Sequence, residues 1–399
     1  MTGTTTGRRR WLIGVAAVAT LATGALAVRN SFSLTMTRGN PVLAARVDSS
    51  NGAARGQAAL ALIQADQSAQ GRAAALAEAR AAVARDATSA AGLSVVGLAS
   101  QTRAGSLPAF TQSQALSRRG LPAQLWLIED AVTRDDVAEA LRHYDIALRT
   151  SRSAPSLLFP VLIGAISDRS LLPEIARTLA TRPRWGGLYL QQLAQSGTDL
   201  PPIATLFQML NRRGVEPGIS ASATLYQRLV DAGLIDAAWA LYRSRVPAAQ
   251  RGGIRNNAFT QSPGTPSPFD WNMADDIQVT ARIETGTPTG RLVFSGASGE
   301  GGDAARQLLL LAPGRHRFRV EIGSLHAPDD ARPSLRLVCT PGGAEIARHS
   351  LPNADERPVV TAFEVVVPAG CAAQQLILGI QAPTSMDAVE GALTRISVD

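Results

Sequence analysis

Arg317-Phe318-Arg319-Val320-Glu321-Ile322 alternates charged and apolar side chains without a break. Successive side chains of a strand point to opposite faces, so Phe318, Val320 and Ile322 share one face. The same spacing recurs in Leu335 and Leu337 around Arg336, in Phe363, Val365 and Val367, and in Leu376, Leu378 and Ile380. Pro313-Gly314, Gly342-Gly343 and Ala369-Gly370 supply the turns, and Gly391 to Val398 reads as a closing strand. Short alternating runs with turn signals about every eight to twelve residues predict a β-sandwich. The pattern starts around Gly252-Gly253, so residues 249–399 are expected to form this domain.

Upstream, over residues 40–248, the period changes. Arg72 to Arg85 (RAAALAEARAAVAR), Gln124 to Val132 and Val137 to Leu148 carry apolar residues three and four apart, the helical spacing. Thr133-Arg134-Asp135-Asp136 breaks the last two segments and offers a capping carboxylate to the second. Ala82-Val83-Ala84-Arg85 is echoed by Ala115-Leu116-Ser117-Arg118 and by Ala147-Leu148-Arg149, a step close to the ~34-residue tetratricopeptide period. Pro173, Pro183, Gly197, Pro201-Pro202, Gly214, Pro217 and Gly233 punctuate further helices. The expectation is an α-solenoid of tetratricopeptide-like helix pairs, serving either a protein partner or as a spacer.

Residues 11–28, Trp11 to Val28 (WLIGVAAVATLATGALAV), hold no charge and follow Arg8-Arg9-Arg10 in the 1–10 segment. Eighteen residues make about 27 Å of helix, which matches a hydrocarbon core of ~30 Å. Arginines resist translocation, so residues 1–10 are expected in the cytoplasm, with everything after Arg29 on the other side. Ala25-Leu26-Ala27 keeps a cleaved signal peptide open as the alternative to a retained anchor. Residues 29–39 read as a linker.

The chain has 399 residues, 45% hydrophobic and 18% charged, which is globular composition. All 39 basic residues are arginine and the net charge is +7. The arginines are scattered among carboxylates, so no nucleic-acid arm is present, while an acidic polysaccharide remains a candidate ligand. Cys339 and Cys371 are the two cysteines; in an exported domain they read as a disulfide, with reduced core thiols as the alternative.

Ile254-Arg255-Asn256-Asn257-Ala258-Phe259, Pro268-Phe269-Asp270-Trp271, Leu311 to Phe318 and Val367 to Cys371 resemble the opening and strands of carbohydrate-binding-module (galactose-binding-like) jelly rolls. Asn257 stands where that pattern has glycine. With Asn40 to Ala44, Leu116 to Arg119, Leu125 to Glu129 and His143-Tyr144-Asp145, the chain is similar to exported α-proteobacterial proteins. These combine an anchor, tetratricopeptide-like helices and such a sandwich, and they imply a link to envelope or exopolysaccharide machinery.

Catalytic constellations are missing. No HExxH, GxSxG or phosphate loop occurs; Gly296 to Gly302 (GASGEGG) lacks the lysine and following helix a phosphate cradle needs. Neighbours on a helix point apart, so His143-Tyr144-Asp145 makes no relay. Asp275-Asp276 and Asp329-Asp330 offer oxygen ligands of the calcium type, but no cofactor is expected. Asp270 with Glu300 could be posed as a glycosidase pair. Trp271, beside Asp270, is the candidate glycan contact, its alternative being a plug in the core. The sequence thus predicts a non-enzymatic scaffold in the bacterial inner membrane, single-pass, with its bulk periplasmic. Glycan binding by the jelly roll is the alternative, and a carbohydrate-active hydrolase the remote one.

Overall fold

A computed structural model describes residues 4–262, 264, 267–275, 277–297, 299–355, 357–382 and 388–399, with side chains from residue 15 onward. The chain forms two compact units, Met1–Val161 and Leu162–Asp399.

The first unit opens with α1 (Thr4–Met36). Every residue from Val15 to Phe32 is exposed, and the helix is long and apolar enough to cross a membrane. The side chains of Arg8, Arg9, Arg10 and Trp11 lie outside the described residues. No proline or glycine interrupts Arg29 to Met36, and the helix runs through it, so most of the segment read as a linker is helical. That stretch docks on α2 (Pro41–Val47) and α3 (Gly52–Ala65). Arg29 lies 3.3 Å from Asp48, whose carboxylate is 3% exposed. Ser33 Oγ donates to the Ala44 carbonyl at 3.0 Å and accepts from Asn51 Nδ2 at 2.9 Å.

The helices that follow are α4 (Ala69–Arg85), α5 (Ala90–Ala99), α6 (Arg103–Leu116), α7 (Leu121–Thr133), α8 (Val137–Thr150) and α9 (Ala154–Gly164). α3 packs on α4, α5 on α6, and α7 on α8. The echoed segments of the sequence fall at the ends of α4, α6 and α8. Asp48, Asp66 and Asp86 each close a helix and accept the N–H of Ser50, Ser68 and Thr88 two residues on. Asn51, Ser68 and Ser89 then cap α3, α4 and α5.

Small residues let these helices approach. Ala59, Ala75 and Ala79 pack with Ile63 and Val95, and a Cβ on Gly56 would sit 2.3 Å from Ser89 Oγ. Further along, Phe110 stacks on Trp126 at 4.8 Å. His143 is buried on α8, with Nδ1 2.8 Å from Gln124 Oε1 of α7. It joins two helices, and its neighbour Asp145 accepts from Arg149 instead.

Three outcomes are expected, the second of them in a helix of the second unit. Gly56→Val should cost ~1–3 kcal/mol by overpacking and lower the melting temperature. Gly187→Ala, in a helix where nothing lies within 4 Å of the added carbon, should cause no loss. Glu139 is held down at about 2, first by the Arg142 hydrogen bond and also by the charges of Arg142 and His143. A lowered carboxylate contributes stability above its unfolded value, lost as pH falls through about 2. Glu139→Gln should therefore flatten the acid limb of a stability–pH curve between the ordinary Glu range and that value.

The second unit holds α10 (Leu172–Ala180), α11 (Gly186–Ser196), α12 (Leu200–Arg212), α13 (Ile219–Asp231) and α14 (Ile235–Arg245). Each of α10, α11 and α12 packs on the next helix but one, as stacked pairs do. Among the described residues ten strands follow: β1 (Asn272–Met273), β2 (Val279–Glu284), β3 (Arg291–Gly296), β4 (Gly302–Leu309), β5 (Gly314–His326), β6 (Ser334–Thr340), β7 (Glu345–Ser350), β8 (Val359–Val367), β9 (Ala373–Ile380) and β10 (Val389–Val398). They form two antiparallel sheets, ordered β1-β4-β9-β6-β7 and β2-β3-β10-β5-β8. β3-β10-β5-β8 facing β4-β9-β6-β7 is the order of a jelly roll. Phe318, Val320 and Ile322 are fully buried, as their alternation requires, and face a core that includes Leu335, Leu337, Leu376 and Leu378.

The compact unit extends across the change of composition at Gly252 because α14 grips the loop before β1. Phe269 packs against Trp239 at 5.1 Å and Tyr242 at 5.2 Å. Tyr242 Oη donates to Asp270 at 2.6 Å.

Candidate functional site

The outward faces of β2, β3, β10 and β5 build an open trough of about 470 Å³. Its rows follow from strand register. Thr280 pairs with Ser295, Ser295 with Glu390, and Glu390 with His326. One row on, Arg282 pairs with Val293, Val293 with Ala392, and Ala392 with Ser324. Since facing residues share a side of the sheet, small side chains at Ser295, Ala392 and Ser324 form the floor. Longer polar ones form the walls.

Charge is arranged along the trough. Glu284 accepts from Arg282 and Arg291, both at 2.7 Å, and the Arg282 hydrogen bond leads in holding its carboxyl below the usual range. At the other end His326 Nδ1 lies 3.0 Å from Asp355, near the exposed Glu390. Thr280 and Ser295 share a hydrogen bond at 2.9 Å. The trough therefore presents guanidinium and hydroxyl donors beside carboxylate and hydroxyl acceptors, the set that a polyhydroxylated ligand needs.

The residues singled out from sequence lie elsewhere. Trp271 is 3% exposed, inside the sandwich core and 5.9 Å from Phe259. This corrects its candidacy as a sugar platform: a ring enclosed by protein has no face left for a pyranose. Asp270 accepts from Tyr242, with Arg245 at 3.8 Å and Arg255 at 3.6 Å. Burial, then that hydrogen bond, pushes the Tyr242 hydroxyl well above its ordinary range. Asp270 is thereby committed to joining α14 to the sandwich, which also removes it from the posed pair with Glu300. Phe363 is half-buried between Phe318 and His349.

Cys339 and Cys371 form a disulfide with Cα atoms 5.5 Å apart, tying the end of β6 to the turn before β9. Asp275 bridges to Thr280, Asp329 is bonded to Arg332, and Asp276 lies outside the described residues. Among the described residues no cluster of three or more His, Cys, Asp or Glu could hold a metal. Gly296 to Gly302 joins β3 to β4 across the two sheets, Ser298 lying outside the described residues.

The trough residues are not among those the sequence singles out, although Val279 to Glu284 alternates. That alternation was the available signal.

No known family profile matches the chain, and no curated protein matches it. Among solved structures it is similar to a CBM4 structure, 12% identical, covering 37% of this chain and 98% of that one with a TM-score of 0.27. It is also similar to the CBM22-1 xylan-binding domain of Paenibacillus barcinonensis Xyn10C, 10% identical over 38% of this chain and 96% of that one, TM-score 0.26. The chain spans only 18% of bacteriophage CBA120 tailspike protein 4, at 13% identity, 32% coverage of this chain and TM-score 0.24. Similarity at this level names neither a ligand nor a reaction.

With Trp271 in the core, Trp271→Ala should cost ~3–5 kcal/mol as a buried aromatic truncation does. Chemical denaturation should show that loss without any saccharide present, and an unchanged midpoint would contradict the buried placement.

Proposed function

We propose that the chain binds a carbohydrate in the trough on its jelly roll and presents it at a membrane through α1. The observation that carries this reading is the outward row of hydroxyl, guanidinium and carboxylate groups over a floor of small residues, open at the surface of a fold that lectin domains also use. An open polar trough suits a polymer, whose successive hydroxyls exchange water for fixed donors and acceptors. The arginine end, Arg282 and Arg291 beside Glu284, gives the carboxylate of an acidic sugar a guanidinium partner.

Helix α1 continuing unbroken past Ala27 into its docked segment supports a retained anchor over a cleaved leader. Under that reading the protein is single-pass in a bacterial inner membrane, its N-terminus cytoplasmic and its bulk periplasmic. The protein is read as non-enzymatic, its buried histidine and Asp270 being engaged in packing. The stacked helix pairs, read as tetratricopeptide-like, make it an adaptor that brings a saccharide to an envelope or exopolysaccharide-assembling partner.

The test is an array of neutral and acidic oligosaccharides probed with full-length protein in detergent. Retention should fall about tenfold, ~1.4 kcal/mol, for Ser324→Trp, which fills the floor, and for Arg282→Ala. Equal retention by the native chain and both variants would reject the trough.

A further inference from the structure

The outer face of the other sheet carries a cleft that shares no residue with the trough. Arg306 and Leu308 of β4 alternate with Ala305 and Leu309 of the core, so they face outward. Arg306 pairs with Asn272 of β1, and Leu308 with Gln375 of β9, which share that face. On α13, Tyr226 and Val230 are four apart, as are Gln227 and Asp231, so all four lie on one side of the helix. They close a cleft of about 250 Å³ against Asn272, Arg306, Thr340 and Gln375.

Several polar groups of the cleft lack partners. Tyr226 is 2% exposed, and its hydroxyl makes no hydrogen bond among the described residues. Burial leads in pushing that hydroxyl above its ordinary range, so at neutral pH it keeps its proton and is a donor. A buried donor without an acceptor is costly. The Arg306 guanidinium, the Gln375 amide and the Thr340 hydroxyl likewise have no partner among the described residues. Asn272 gives its Nδ2 to the Ser267 and Asp270 carbonyls, both at 2.8 Å, which leaves Oδ1 as an acceptor.

Charge and shape choose the occupant. One cation, Arg306, and one carboxylate, Asp231, line the cleft, and Asp231 accepts from Gln227 Nε2 at 2.7 Å. Opposite charges leave no net attraction for an anion or a cation. Val230, Pro268 and Leu308 supply an apolar wall. A pyranose matches this lining, with an apolar C–H face and hydroxyls that both donate and accept. The volume, about 250 Å³, falls below the ~300–1,000 Å³ of drug-sized pockets, so it takes a single ring and no chain. A peptide strand finds nothing to join, because β4, β9 and β6 are each paired on both sides.

We propose that this cleft is a second saccharide site, taking one neutral sugar residue on the sheet opposite the trough. It is built from its own residues and requires nothing of the trough.

Saturation-transfer NMR on the full-length protein tests it, in an amine-oxide detergent that carries no sugar. The probes are the methyl glycosides of glucose, galactose and mannose, with that of glucuronic acid as the charged comparison. Ser324→Trp fills the trough throughout. Transfer to at least one neutral glycoside should exceed that to the glucuronide. Adding Arg306→Ala or Gln375→Ala should reduce it at least about fivefold. The melting temperature should hold, since neither side chain has a partner to lose. Equal transfer with and without these changes overturns the cleft. No transfer to any neutral glycoside in the Ser324→Trp chain also overturns it, while transfer to the native chain alone still supports the trough. Stronger transfer to the glucuronide overturns the neutral class.

Discussion

A strand that buries every second side chain must expose the ones between, and this constraint governs the C-terminal half of the chain. Phe318, Val320 and Ile322 fill the space between two sheets. The same geometry, repeated on β2, β3 and β10, lines up Thr280, Ser295, Glu390 and His326 across the outer surface. Core and trough are thus two sides of one alternation. Placing polar groups on the outer face costs the fold little, because the core is complete without them.

Packing elsewhere relies on two other devices. In the first unit, alanine and glycine allow close helix contact, and the aspartates at positions 48, 66 and 86 stop one helix while the next polar residue caps its successor. In the second, an aromatic cluster around Phe269 and the Tyr242–Asp270 hydrogen bond join helices to the sandwich. Asp270 sits there at the meeting of a tyrosine and two arginines, where a carboxylate balances charge.

Much of this was legible in the residues. Strict alternation marked β5, and glycine and proline marked the limits of most helices. The cysteine pair was legible as the two cysteines of one domain. Trp271 lies just before β1, a strand of two residues, so alternation assigns its ring to no face and both readings of it stood until its neighbours were placed. Arg29 to Met36 looked like a linker because charge and polar residues ended the apolar run; helix continues there since nothing breaks it and Asp48 and Ala44 receive it. β2 and β3 were less legible because β2 is only six residues long and Leu292-Val293-Phe294 of β3 is an unbroken apolar run rather than an alternating one.

If a saccharide lies in the trough, the groups that touch it must lose access to solvent together. Phenylglyoxal footprinting of the full-length protein, read by mass spectrometry with and without a retained oligosaccharide, measures this residue by residue. The account predicts slowed modification at Arg282 and Arg291, with Arg348 on the opposite sheet unchanged. Protection at Arg348 with none at Arg282 and Arg291 would contradict it.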